Sequence, residues 1–308
     1  MGKQCFTIGC VQTNAREDVE KTLDDAETGI LEAVARGASL VITPENVAGM
    51  LPLNTHPQAI AYPPHRHPCL TRFSHLAQQH AIWLVAGSVT IRLDDGKAHG
   101  KEGAPFVNRC YVFSPEGKAV AYYDKIHLFD ANLDAHGQYN ESRFYQAGHH
   151  AVLVDVDDYG AFIGKLGLTI CYDVRFPRLF HTLAQGGAHI ISVPAAFTRP
   201  TGEAHWETLL RARAIENGVY IVAAAQCGVH GGGRETWGHS LIISPWGDVL
   251  AQGDGTSPCV ITAPFQREEI THARRRLPCH HHHRPFHLSG ASENSEHRWK
   301  DEDETRAP

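Results

Sequence analysis

The octapeptide GASLVITP, Gly37 to Pro44, has a counterpart in GAHIISVP, Gly187 to Pro194. Each follows a helical segment and opens on the glycine that ends it. Each then runs as a short, largely aliphatic strand into a proline. Further along each half comes a Ser-Pro-x-Gly turn, SPEG at Ser114–Gly117 and SPWG at Ser244–Gly247. Proline presets the first turn residue and glycine accepts the positive φ that follows. These turns join Tyr111–Phe113 to Ala119–Tyr123 and Leu241–Ile243 to Val249–Ala251 as hairpins. The reading is one α/β unit used twice, although matches this short also arise by chance. Two sheets face to face with helices outside would bury both sets of strands.

Working outward, Phe6–Val11 reads as a strand. Val19–Ala35 reads as an amphipathic helix with Leu23, Ala26, Ile30, Leu31 and Val34 near helical spacing, stopped at Gly37. Leu40–Thr43 is a short buried strand, Pro68–His80 a second helix and Ile82–Val89 another strand. Residues Ala131 to His150 read as a long polar irregular loop, of the kind that carries function. From Ser289 the chain is polar and charged, which predicts a disordered tail over 289–308 after one domain over 1–288.

The 308 residues carry a formal net charge of -6, with 20% charged and 42% hydrophobic residues. That balance offers no broad basic face, so nucleic acid is not an expected partner. No run reaches the roughly 18 apolar residues of a membrane span. The opening MGKQCFTIGC lacks the apolar core of a signal peptide. Eight cysteines are scattered without a CxxC pair, which predicts reduced thiols and a cytoplasmic protein.

The chemistry concentrates in GKLGLTICYDVRFPRL, Gly164 to Leu179. An apolar strand, Leu166–Ile170, runs into Cys171, and a helix-compatible segment begins near Pro177. A cysteine at such an elbow projects from the end of a sheet, where the N–H groups of Tyr172 and Asp173 could face an oxyanion. A thiol with a reference pKa of ~8.5 needs activation at neutral pH. The 22 histidines are too many for one to be singled out as its base. Two other residues stand at strand ends: Glu45, after Pro44, and Lys125, in YYDKIHLFD. Three strands could thus deliver a carboxylate, an ammonium and a thiol to one pocket.

On five stretches the chain resembles the nitrilase superfamily of carbon–nitrogen hydrolases, nearest its Nit branch of amidases: VITPEN (Val41–Asn46), YDKIHLFD (Tyr123–Asp130), ICYDVRFP (Ile170–Pro177), HWETLLRARAIENGVYIVAAAQCG (His205–Gly228) and GHSLIISPWGDVLA (Gly238–Ala251). The resemblance spans Phe6 to Leu288. It implies a four-layer α-β-β-α sandwich and a Glu45–Lys125–Cys171 triad. A second glutamate falls at Glu141, in YNESRFYQAG. It further implies a thioester route needing no cofactor and no metal, and a homodimer or larger homo-oligomer built through helices, including the one after the cysteine. The expected substrate is a small linear amide bearing a carboxylate, of the deaminated glutathione or 2-oxo acid kind. A general aliphatic amidase or carbamoylase is the alternative, and an interaction protein that retains the fold is the non-enzymatic one.

Around this centre, Arg175 could grip a substrate carboxylate bidentately or pair with a helix acid. Tyr172, Phe197 and Trp206 could line the pocket or pack in the core. The helix Glu207–Asn217 reads as structural, and Cys227 as a core thiol rather than a second nucleophile. The run Cys279–His283 invites a metal reading, but consecutive histidines cannot all face one ion.

Overall fold

The computed structural model describes residues 6–93, 105–133, 137–158 and 160–286. The tail from Ser289 lies outside the described residues. Strand β1 (Thr7–Gln12) sends Ile8 and Cys10 to one face and Val11 to the other, as the strand period of two requires. Helix α1 (Val19–Ala35) starts at Asp18, whose carboxylate accepts the Lys21 N–H at 3.2 Å. Its buried stripe is Leu23, Ala26, Ile30 and Ala33, set against Val11. The expected Leu31 instead faces solvent at 38% exposure. It follows Ile30 by one residue, about 100° around the helix. Burying a large aliphatic side chain here contributes roughly 1.5–3 kcal/mol of transfer free energy.

The octapeptide GASLVITP becomes β2 (Leu40–Ile42), with Leu40 and Ile42 on the inner face and Val41 on the helix face. Helix α2 (Pro68–His80) and strand β3 (Trp83–Arg92) follow, then the hairpin β4 (Phe106–Phe113) and β5 (Ala119–Asp124). A short antiparallel ribbon, β6 (Asp130–Asn132) with β7 (Gln138–Asn140), precedes β8 (Val152–Asp158) and β9 (Ala161–Leu168). This corrects the irregular loop expected over 131–150: its start is paired strand, and Glu141–Arg143 form one tight helical turn.

The second half repeats the first. Helix α3 (Pro177–Gln185), β10 (Ile190–Ser192, from GAHIISVP), α4 (Arg199–Asn217) and β11 (Tyr220–Ala223) match α1, β2, α2 and β3. A ribbon of β12 (Cys227–Val229) and β13 (Glu235–Trp237) intervenes. The hairpin β14 (Leu241–Ile243) and β15 (Val249–Gln252) follows, then β16 (Cys259–Pro264) and α5 (Arg267–Arg276). The six-stranded sheets run β16-β1-β2-β3-β4-β5 and β8-β9-β10-β11-β14-β15. Each has a parallel centre, β1-β2-β3 and β9-β10-β11, flanked by antiparallel strands. The two octapeptides are therefore equivalent strands of equivalent sheets.

Inner-face residues of both sheets share one core, including Ile8, Ile42, Val112, Leu166, Leu168 and Ile190. Helices α1 and α2 cover the outside of the first sheet, while Phe180, Trp206 and Leu210 of α3 and α4 join the core from the other side. This is the expected α-β-β-α sandwich. Helix α4 begins eight residues before the expected Glu207. Pro200 fits its first turn, and Gly202 lets Trp237 approach to where a Cβ would meet it at 2.3 Å. Among the described residues no helix is long and apolar enough to cross a membrane.

Candidate active site

Glu45 follows β2 through Pro44, and Gly87 of β3 makes room for that turn. A Cβ on Gly87 would lie 1.9 Å from the Thr43 carbonyl oxygen, so only glycine lets the chains approach this closely. The Glu45 side chain is 5% exposed. Its Oε1 accepts from Lys125 Nζ at 2.9 Å and from Asn108 Nδ2 at 2.9 Å. Its Oε2 accepts the Ala196 N–H at 2.8 Å, and its carbonyl accepts from Gln226 Nε2 at 2.9 Å. Residues from both sheets therefore fix one carboxylate.

Lys125 leaves the end of β5, and its N–H donates to the Asn108 carbonyl at 3.0 Å. Beyond Glu45, its ammonium donates to Glu141 Oε2 at 2.8 Å and Oε1 at 3.1 Å. Glu141 is held in turn by Asn108 Nδ2 at 3.0 Å and by the Phe129 N–H at 2.7 Å. Burial alone would discharge Lys125, but Glu141 and Glu45 hold it well above the usual lysine range. Burial pushes the Glu45 carboxyl up, and the Lys125 charge and hydrogen bond outweigh it, leaving Glu45 below the ordinary carboxylate range. At neutral pH the pair is charged, with the carboxylate oriented.

Cys171 begins a tight helical turn, Cys171–Arg175, directly after the second sheet's strand β9 and residues 169–170. Its φ of 48° lies in the left-handed region that a non-glycine residue occupies only when its surroundings enforce it. Two contacts do so here. The Cys171 N–H donates to the Pro194 carbonyl at 2.8 Å. One residue earlier, the Ile170 N–H donates to Asp173 Oδ2 at 2.8 Å. Asp173, fully buried, also accepts from the Tyr123 hydroxyl at 2.7 Å, and its Oδ1 meets the His127 N–H at 3.1 Å and Nδ1 at 2.7 Å. The Asp173 N–H is spent on the Ile170 carbonyl at 3.1 Å, so of the two N–H groups expected to face an oxyanion, Asp173's is unavailable. Burial and the neighbouring Glu45 charge push the Cys171 thiol well above the usual range, against Lys125. Such a thiol stays protonated at neutral pH and can become a nucleophile by passing its proton to Glu45.

These four side chains line one cavity of about 120 Å³, with Asn108, Phe129, Tyr139, Tyr145, Ala196 and Arg234 among its walls. A second, narrower lobe shares Cys171, Phe129 and Ala196 and is lined by Tyr172, Arg175, Phe197 and Thr201. Arg175 stacks over Phe197 at 5.2 Å and meets His205 Nδ1 at 3.3 Å. Among the described residues it has no carboxylate partner, so the helix ion pair weighed for it is not formed. Trp206 does not reach either lobe; it packs against Phe197 and donates Nε1 to the His239 carbonyl at 2.8 Å. Cys227 lies in β12 outside both lobes, and burial pushes its thiol up to about 12. Among the described residues no three histidine, cysteine or acidic side chains gather as metal ligands would. In the Cys279–His283 run, His280 is buried against His281, and His283 packs on His181.

Residues 7–275 match the family described as carbon-nitrogen hydrolase. The chain belongs to that family. It is 37% identical over 285 residues to the deaminated glutathione amidase of Yersinia enterocolitica, covering 90% of this chain and 92% of that one. It is 32% identical over 276 residues to the chloroplastic omega-amidase of Arabidopsis thaliana, covering 89% and 71%. Among solved structures, the Caenorhabditis elegans NitFhit protein superposes with a TM-score of 0.77 at 35% identity, over 92% of this chain and 66% of that one. The resemblance to the Nit branch of the nitrilase superfamily is thus borne out over nearly the whole described chain. Within this carbon–nitrogen hydrolase, residue-by-residue reading missed Asn108 and Arg234, and it named Asp173 for its backbone N–H while missing its bracing side chain. Asn108 carried a signal, an amide inside the apolar strand FVNRCYVF.

Proposed function

We propose that this carbon–nitrogen hydrolase is an amidase that opens a small, carboxylate-bearing linear amide through a thioester on Cys171. The observation that carries the reading is the charged Glu45–Lys125–Glu141 cluster set beside a neutral thiol in one cavity. Glu45 takes the Cys171 proton as sulfur attacks the amide carbon. Lys125 and the Tyr172 N–H steady the oxyanion; one such donor is worth ~3 kcal/mol of barrier. Glu45 then gives its proton to the nitrogen, the C–N bond breaks, and the amine leaves (ammonia, from a primary amide). Water enters, passes a proton to Glu45 and attacks the thioester. The acid departs as Cys171 recovers its proton. Glu141 holds Lys125 in place throughout. No step calls on a cofactor.

Support for an acidic acyl group comes from Arg175, which lines a lobe with Cys171 and has no carboxylate partner among the described residues. The deaminated glutathione amidase and omega-amidase names of the relatives agree with it. Comparing kcat/KM for deaminated glutathione, 2-oxoglutaramate and a neutral aliphatic amide tests the reading. A preference for the neutral amide favours the general aliphatic amidase instead. A homodimer or larger homo-oligomer is proposed on the family likeness, and sedimentation velocity reads it directly.

A further inference from the structure

We propose that the face built by α5 and residues 278–286 is a docking surface, and that its occupant is this chain's own acidic run, Asp301–Glu304. This contact is independent of the amidase chemistry. From Arg267 to Phe286 the chain carries five arginines and five histidines against two acids, Glu268 and Glu269, inside a protein of net charge -6. Arg267, Arg275, Arg276 and Arg284 are exposed. None of the five arginines pairs with a carboxylate among the described residues. Arg274 is spent on carbonyls, those of Gly218 at 3.1 Å and Ala188 at 2.7 Å. Glu269 accepts the Tyr220 hydroxyl at 2.7 Å, and Glu216 holds Arg213 at 3.0 Å. A helix C-terminus offers only about half a negative charge, so three arginines in the last turn of α5 leave this face positive.

Two histidines report the same field. Burial first, then the cations around them, push His189 and His280 down to about 4. Around His189 these cations are Arg267, Arg274 and Lys165; around His280 they are Arg274 and the neighbouring histidines. The segment is anchored, since Gln185 of α3 donates Nε2 to the His280 carbonyl at 2.7 Å. His189 precedes β10 and Ala196, which holds Glu45, follows it, so this face lies toward the end of β10 away from the active site. The complement begins where the described chain leaves the face, at Phe286. Four successive acids stand at 301–304, with Trp299 just before them. A free chain of about 15 residues spans roughly 20 Å on average, against about 15 Å for the length of α5, so the acids reach the arginines. Tethering at that length gives a millimolar effective concentration, enough for a contact too weak to hold separate molecules together. Leu277 at 54% and Phe286 at 85% exposure give Trp299 apolar neighbours. A segment too polar to build a core is held here by charge.

The test is fluorine NMR of the full chain labelled with 5-fluorotryptophan, the Trp299 line being assigned by its loss in Trp299→Phe. In low salt that line should be broadened and displaced from its position in a synthetic peptide of residues 289–308. Raising NaCl from about 0.02 M to about 0.5 M shortens the screening length from about 20 Å to about 4 Å and should return it to the peptide position. Neutralising the run (Asp301→Asn, Glu302→Gln, Asp303→Asn and Glu304→Gln together) should do the same in low salt. So should neutralising the face with Arg275→Gln, Arg276→Gln and Arg284→Gln. If the face variant does not fold, the salt series and the tail variant still decide, because neither alters the folded domain. A wild-type line at the peptide position in low salt overturns the inference, as does a displacement that salt or the tail variant leaves unchanged. A displacement that survives in a folded face variant places the tail elsewhere and overturns it too. A displacement that fades on dilution makes a second copy the occupant and overturns the intramolecular contact.

Discussion

The Tyr123 hydroxyl donates to Asp173 Oδ2 across 2.7 Å, tying the end of one sheet to the turn that carries Cys171 on the other. The same carboxylate oxygen accepts the Ile170 N–H at 2.8 Å, so it braces the strained backbone at φ 48° from one residue upstream. Tyr123 also accepts the Ile126 N–H at 3.2 Å, just past Lys125. One phenol therefore sets the spacing between the ammonium and the thiol.

Tyr123→Phe should cost about 1.5–3 kcal/mol of stability, the range for a hydrogen bond to a charged group. It should also lower kcat more than it raises KM, because the elbow is displaced rather than the substrate lobe. Urea denaturation and steady-state kinetics check both. Unchanged kcat would show that the elbow holds without the brace.

Lys125→Met should abolish turnover and destabilise the fold. Glu45 and Glu141 would then share Asn108 with no cation between them. Breaking a buried charge cluster in this way costs about 3–5 kcal/mol. Adding Glu141→Gln to that variant should restore much of the lost stability and none of the activity. Denaturation midpoints of the single and double variants read the difference; equal midpoints would contradict the charge argument.

Glu45 predicts an acid limb to stability. Its folded pKa lies below the ordinary 4.5, so its ionised form contributes stability above pH 4.5. That contribution is lost as pH falls through the depressed folded value. Lys125, raised above 10.5, keeps its own contribution throughout the neutral range. Glu45→Gln should therefore show a shallower fall in Tm below pH 4.5 than wild type. Parallel Tm profiles would argue against the depressed carboxyl.

Arg175→Ala should lower kcat/KM for 2-oxoglutaramate at least about tenfold, as expected for a lost charge-assisted pair. A neutral aliphatic amide should be affected much less. Equal losses on both would remove the acyl-carboxylate role and leave a structural one.

The sheets were legible because strands and turns are local. GASLVITP and GAHIISVP carry their own period, glycine stop and proline exit, and they became equivalent strands β2 and β10. Glu45, Lys125 and Cys171 were legible for the same reason, each following its own strand. Their partners were not. Asn108 meets Glu45 from 63 residues away and Ala196 from 151, distances at which periodicity carries no information. Asp173 stood out only for its backbone N–H, because its carboxylate meets Tyr123 and His127 from the other half of the chain. The pairing of β6 with β7 was hidden by its polar composition, DAN against QYN.

Mass spectrometry of a reaction quenched in the steady state tests the central claim most directly. The account predicts an acyl adduct of the substrate's acid portion, mapping by peptide digestion to Cys171 and absent from Cys171→Ala. An adduct on Cys227, or turnover retained by Cys171→Ala, would contradict it.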